Sequence, residues 1–267
     1  MSVAEYAGGK MLAAVEDGIG TITFNQPEKR NAISVSMWQG LGEILERFSA
    51  DPAVRVVVLT GAGDKAFVSG ADISEFEQQR GDNAARQDYE ASTSAARLAF
   101  EAFTKPTIAR IRGFCIGGGL AIAMNADIRI ASEDSQFGIP AAKLGISYAF
   151  GSVRRLVQLV GPAEARYLLF TGDRIKAAEA RQIGLINKVV PIEELDNATA
   201  TMARTIATNA PLSVASMKLT IGESLKEMID IDLDAINTSI AACFDSEDYK
   251  EGRTAFMAKR TPTFTGK

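Results

Sequence analysis

Two short segments of this chain combine residue types that can hold a developing negative charge. In Ala66-Phe67-Val68-Ser69-Gly70-Ala71-Asp72-Ile73 and in Cys115-Ile116-Gly117-Gly118-Gly119-Leu120, an apolar run gives way to glycine. Each pattern puts a glycine-containing turn after a buried strand, where the backbone can offer an unpaired N–H to a ligand. In the second segment three glycines open a helix. A ligand oxygen can then approach the main chain closely and meets the positive end of the helix dipole. One such triplet alone fits a tight turn or close strand–helix packing equally well. The chain contains no histidine, which removes an imidazole general base, an imidazole metal ligand and any Ser-His-Asp triad.

The elements that carry these turns follow from the spacing of apolar residues. Residues 11–16 and 20–24 alternate around Asp17-Gly18 and predict a β-hairpin. Ser34 can cap a helix in which Met37, Leu41, Ile44, Leu45 and Phe48 recur at helical spacing, ending near Asp51-Pro52. Residues 55–60 and 106–111 are continuous apolar runs, the pattern of parallel strands buried on both faces, and 66–69 and 128–131 read as shorter strands. Residues 75–89 are polar and charged and read as a mobile segment, a candidate lid, before helical periodicity resumes over 91–103. Residues 113–119 read as a glycine-rich turn feeding a helix over 120–125. From Ser152 onward helices dominate: 153–159, 162–170, 176–183, 192–209, 211–228, 229–244 and 247–259. The expectation is an α/β core over 1–200 and a helical C-terminal region over 201–267.

Composition narrows the function classes. The 267 residues are 46% hydrophobic and 23% charged, enough for a sizeable core. A net charge of −4 with Lys and Arg dispersed shows no footprint for nucleic acid or an anionic membrane. No apolar run reaches the ~20 residues needed to span a bilayer, and residues 1–10 lack a basic region followed by an apolar stretch. Cys115 and Cys243 read as small buried residues of a protein in the reducing cytoplasm.

The two glycine segments belong to a longer series of ordered motifs. Asn25-Gln26-Pro27-Glu28-Lys29-Arg30-Asn31-Ala32 precedes them. Asp127-Ile128-Arg129-Ile130-Ala131, Phe137-Gly138-Ile139-Pro140, Lys143-Leu144-Gly145-Ile146, Thr171-Gly172 and Glu251-Gly252-Arg253-Thr254-Ala255-Phe256 follow. In order and separation this series resembles the crotonase (enoyl-CoA hydratase/isomerase) superfamily from about residue 11 to 264. The resemblance implies a spiral of βαβ turns, the ClpP/crotonase fold, with a helical C-terminal trimerisation region, assembled as a homo-trimer or a dimer of trimers. It implies an acyl-CoA thioester as substrate, with coenzyme A as part of that substrate and no separate cofactor. By position, the backbone N–H groups of Ala71 and Gly118 would form an oxyanion hole for the thioester enolate, one such donor being worth ~2.7–4 kcal/mol in the transition state. Lys29 and Arg30 match the loop that grips coenzyme A, and Lys259 matches a C-terminal lysine near the nucleotide. By the same resemblance Ala32, Ser69, Asp72, Ile73, Ile116 and Pro140, with Ala121, Ala141 and Ser147, would line the substrate site around the donors.

The departures from the family pattern are as informative. The two glutamates that move protons in the family's hydratases fall, by count, on Ala121 and Ala141, and neither can do so. A general acid–base group typically contributes ~10²–10⁴ in rate. Lys143 and Ala149 stand at positions that carry acid/base groups in the family's isomerases. Ser147 and Tyr148 then line the wall. A tyrosine after Leu-Gly-Ile resembles the methylmalonyl-CoA decarboxylase branch, which lacks both glutamates, although that enzyme has a histidine where this chain has Ala71. The expected reaction is therefore lyase-type, with Tyr148 beside a departing carboxylate. The competing place for Tyr148 is a packed ring with its hydroxyl on a neighbouring backbone group. Two alternatives stand beside the lyase: a hydratase or isomerase with relocated acid/base groups, for which Glu75, Glu77, Glu90 and Asp72 are candidates, and a CoA-binding protein without turnover.

Overall fold

The computed structural model describes residues 2–72 and 83–267, of which 83–87 by their backbone alone. The chain opens with an antiparallel meander of β1 (Val3–Tyr6), β2 (Met11–Glu16) and β3 (Ile19–Phe24). Asp17 and Gly18 between β2 and β3 both take positive φ, at 48° and 80°, the turn whose twist matches the flanking strands. Helix α1 (Val35–Ala50) starts where Ser34 Oγ accepts from Met37 N at 3.3 Å, and it buries the apolar stripe expected of it.

Three successive turns of chain then repeat one plan. β4 (Val56–Gly61) and β5 (Ala66–Val68) are followed by α2 (Asn83–Ala102). β6 (Thr107–Ile111) and β7 (Phe114–Ile116) are followed by α3 (Gly118–Asn125). β8 (Ile128–Ser132) and β9 (Gln136–Gly138) are followed by α4 (Phe150–Thr171). The first strand of each pair joins one sheet and the second joins another, so the chain advances as a spiral of βαβ turns. After α4 come β10 (Arg174–Lys176), α5 (Ala177–Gln182), β11 (Lys188–Val190) and α6 (Leu195–Thr208). The C-terminal helices are α7 (Pro211–Glu223), α8 (Leu233–Asp245) and α9 (Glu247–Met257). Among the described residues the large sheet has the order β1-β2-β3-β4-β6-β8-β11, parallel from β3 onward, and the small one has the order β10-β9-β7-β5.

The continuous apolar runs are continuous because both faces of the large sheet are covered. Val57 and Leu59 of β4 face the main core with Leu41, Ile44 and Phe48 of α1, while Val56 and Val58 face Leu195, Ala203 and Ala207 of α6. Residue 200 thus lies inside a helix that completes the α/β core. Burying each of the seven valine, leucine and isoleucine side chains among these contributes on the order of 1.5–3 kcal/mol.

Several elements differ from the sequence reading. Residues 83–89 are helical and open α2, so the polar stretch read as a mobile segment is in that part a helix; its remainder, with Glu75 and Glu77, and Ile73 before it lie outside the described residues. Residues 114–116 form strand β7 inside what reads as one glycine-rich turn. Strands β1, β9, β10 and β11 have three or four residues each, too few to show a period. α4 spans both expected helices with a break at Gly161 (φ 75°) before Pro162, and the helix expected over 211–228 stops at Glu223. Among the described residues, no helix is long and apolar enough to cross a membrane.

Candidate active site

β5 and β7 run parallel in register Ala66↔Phe114 and Val68↔Cys115, so the chain leaves both strands at the same end. The glycine turns therefore meet. A Cβ on Gly117 would lie 3.9 Å from the Gly70 Cα, and one on Gly70 would lie 3.7 Å from the Ile116 carbonyl oxygen. Gly70 has φ 121° and Gly117 has φ 53°, backbone conformations that side chains rarely adopt. At Gly119 the approach is closer still: a Cβ would sit 2.1 Å from the Val68 carbonyl oxygen, which only glycine tolerates.

The orientation of each donor follows from its neighbours' hydrogen bonds. Ile33 N donates to Gly70 O at 2.8 Å, and Asp72 N donates to Ile33 O at 3.0 Å. In such a parallel bridge the intervening residue turns its own N–H to the opposite side, so Ala71 N–H points away from Ile33. Gly118 is the first residue of α3, where N–H groups have no intrahelical acceptor. Among the described residues neither Ala71 N–H nor Gly118 N–H has a hydrogen-bond acceptor. Both N–H groups thus belong to turns that meet at the ends of adjacent strands.

The residues around them act as a brace. The buried Asn31 accepts from Gln26 N at 2.9 Å through Oδ1 and donates through Nδ2 to Ala62 O at 2.9 Å and Ala66 O at 2.8 Å. Gln26 Nε2 donates to Ala32 O at 3.0 Å, and Ser69 N donates to Arg30 O at 3.2 Å. Lys29 Nζ reaches the buried Asp72 carboxylate at 2.8 Å, which ties the loop to the first donor turn. The Arg30 guanidinium stacks over the Phe114 ring at 5.3 Å, and Arg174 stacks on the same ring at 5.5 Å. Asn31 and Gln26 stand in the motif over 25–32, but the sequence does not assign their bracing role, because polar residues inside a proline-bearing loop show no periodicity that reveals their partners.

Tyr148 holds the second turn. Its hydroxyl donates to Gly117 O at 2.9 Å, and Gly117 N donates to Gly138 O at 2.9 Å. Burial, with smaller contributions from Tyr89 and Cys115, pushes the phenol well above its ordinary pKa, so it stays protonated as a donor. The proton expected beside a departing carboxylate is thus committed to the main chain. Cys115 on β7 is fully buried, and burial likewise raises its thiol, only partly opposed by Arg129.

Other expected site residues fall as follows. Ala121 sits one turn into α3 with its N–H on Gly117 O at 2.9 Å. Ala141 is 7% exposed, after Pro140 and three residues beyond Gly138. Ile116 ends β7 beside Gly70. Ser147 is exposed and makes no side-chain hydrogen bond among the described residues; Lys143 is paired with Asp173 at 2.6 Å. Lys259, exposed after α9 with φ 51°, has no contact with this cluster among the described residues. No group of three His, Cys, Asp or Glu side chains able to hold a metal exists among the described residues.

Residues 14–267 match the family model described as enoyl-CoA hydratase/isomerase. The chain belongs to the enoyl-CoA hydratase/isomerase family. It is 40% identical to a short-chain-enoyl-CoA hydratase of Clostridium acetobutylicum over 245 residues, covering 92% of this chain and 93% of the relative. It is 38% identical to a crotonyl-CoA hydratase of Syntrophomonas wolfei over 252 residues, covering 94% and 96%. Among solved structures, an enoyl-CoA hydratase/carnithine racemase from Magnetospirillum magneticum superposes with a TM-score of 0.92 at 36% identity, covering 97% of this chain and 96% of that one. The mixed α/β spiral with its helical C-terminal region is the crotonase fold. In this enoyl-CoA hydratase/isomerase family member, the glycine turns occupy the place of the motifs that carry the resemblance.

Proposed function

We propose that this chain binds an acyl-CoA thioester and catalyses an enoyl-CoA hydration or double-bond shift through an enolate held by the N–H groups of Ala71 and Gly118. The observation that supports the reading is that two glycine turns meet at the ends of β5 and β7, each carrying a main-chain N–H without an acceptor among the described residues. Relatives named as hydratases at 40% and 38% identity favour this class over C–C cleavage. With alanine at 121 and 141, the protons must move through other groups. Asp72 is held by Lys29, so Glu75, Glu77 and Glu90, which follow the first donor in sequence, are the candidates. The substrate is the only carrier of coenzyme A, which the loop at Lys29 and Arg30 grips.

A second reading, decarboxylation or another C–C or C–X cleavage, is favoured by the same two alanines, because loss of CO₂ generates an enolate without a base. Against it stands the Tyr148 hydroxyl bonded to Gly117. The deciding experiment offers crotonyl-CoA and methylmalonyl-CoA to the pure protein. Formation of 3-hydroxybutyryl-CoA or of a shifted double bond, lost on changing one of the three glutamates to glutamine, supports the proposal; CO₂ release without hydration replaces it with the second reading. Assembly as a trimer or a dimer of trimers through the C-terminal helices, and residence in the cytoplasm, belong to the same proposal.

A further inference from the structure

The peptide unit joining Gly117 to Gly118 has two ends with different duties. Its N–H is the second donor of the site, and its carbonyl oxygen lies on the other side of the same plane. That oxygen accepts from Ala121 N at 2.9 Å and from Tyr148 Oη at 2.9 Å, which fills both of its lone pairs. An amide whose carbonyl accepts hydrogen bonds is polarised, and its N–H becomes a stronger donor. Gly117 itself has φ 53° and ψ −115°, a conformation open to glycine alone, so nothing in its own side chain fixes the plane. The fixing comes from outside. Tyr148 is packed against the main core and belongs to the extended stretch between the Ala142–Leu144 turn and α4. A phenol in that setting needs a partner, and among the described residues its hydrogen bond goes to this carbonyl.

We infer that Tyr148 is a positioning residue of the oxyanion hole, which orients and polarises the Gly117–Gly118 peptide so that Gly118 N–H binds the enolate more tightly than the neutral thioester. This inference rests on the enolate reading above. Tyr148 acts through one peptide rather than by touching the substrate, so its effect is smaller than the 10²–10³ typical of deleting a donor itself, about three- to tenfold.

The test uses the whole protein and two thioesters, 3-oxobutyryl-CoA, which can bind as its enolate, and butyryl-CoA, which cannot readily do so. The enolate fraction of bound 3-oxobutyryl-CoA is followed by its near-ultraviolet band as pH is varied. In Tyr148→Phe the enolisation midpoint rises by about half to one pH unit, that three- to tenfold range expressed on the pKa scale, while the affinity for butyryl-CoA stays within about twofold and kcat falls with little change in KM. Replacing Tyr148 by a ring-fluorinated tyrosine, a stronger donor of nearly the same shape, moves the midpoint the opposite way. That opposite shift is a response a purely structural role would not give, and it keeps the test decisive if the phenylalanine variant is poorly folded. An unchanged midpoint in both variants overturns the inference alone. Failure of the wild-type protein to bind either thioester overturns the enolate reading and this inference with it.

Discussion

The donor turns and the C-terminal helices of this molecule are unfinished in opposite ways. Around Gly70 and Gly117–Gly119 the chain is packed so closely that side chains are excluded, and what is left unsatisfied is two N–H groups. Over 233–257 the chain is almost entirely helical, and what it and the turn before it leave unsatisfied is apolar surface: Ile229 is 92% exposed, Met228 87% and Phe256 83%, with Phe244 and Met257 also exposed. Polar vacancy calls for a small charged ligand, and apolar vacancy calls for another protein surface. The first region can complete itself with substrate alone, whereas the second is stable in water only at the cost of exposing a patch that association would cover.

The contrast can be broken most severely at the glycine triplet. Gly119→Ala places a methyl against the Val68 backbone at 2.1 Å, while Gly118→Ala meets only the Ile33 Cγ2 at 3.3 Å and the Trp38 ring at 3.5 Å. Overpacking of the first kind costs on the order of 3 kcal/mol, and the second about 1 kcal/mol or less. Urea unfolding of the two variants separates them; equal loss would mean that the triplet is not gripped by β5. A lesser effect on the folded chain, but a complete one on assembly, is expected from Ile229→Glu with Phe256→Glu. Surface changes of this kind alter the isolated chain's stability by about 0.5 kcal/mol, and sedimentation should show a smaller species. An unchanged mass would mean that this patch is not an interface.

The smallest effect concerns acid. Glu251 in α9 holds Arg260 at 2.6 and 2.7 Å and accepts from Thr263 N at 2.8 Å, and the Arg260 bond, ahead of the Thr263 bond, lowers its pKa to about 2 from 4.5. A carboxylate depressed in the folded state stabilises it fully above the ordinary value and loses that contribution as pH falls toward 2. The amide resonance of Thr263 should report this clasp opening between about pH 4.5 and 2, with the step absent in Glu251→Gln. A step centred near pH 4.5 in the wild type would mean that the clasp is not formed in solution.

How far the sequence foretold this structure depended on whether local pattern or distant contact decided each element. Ser34 with the stripe from Met37 to Phe48, and the valine-rich β4, were legible because period and cap lie within one segment. The short strands β9 and β11 exist only because β7 and β8 offer edges to pair with, and β10 only because β9 does, which no three-residue window can announce. Likewise residues 83–89 are polar enough to read as irregular, yet they form the first turns of α2. At the site, the glycines were legible as turns, while Ala71 and Gly118 were singled out through the family resemblance. The grip of Asn31 on Ala62 and Ala66, 31 and 35 residues away, was not legible; for Tyr148 a hydroxyl on a neighbouring backbone group was foreseen, but not that the group is Gly117, 31 residues away.

Cys115 lies in the middle of β7, sealed from solvent and with its thiol held protonated, while Cys243 on α8 is partly accessible. The two thiols therefore run at different speeds toward an alkylating reagent. In the native protein Cys243 should react first, and Cys115 only when β7 parts from its neighbours. Its modification rate is thus a clock for the opening of the strand that ends at the second donor.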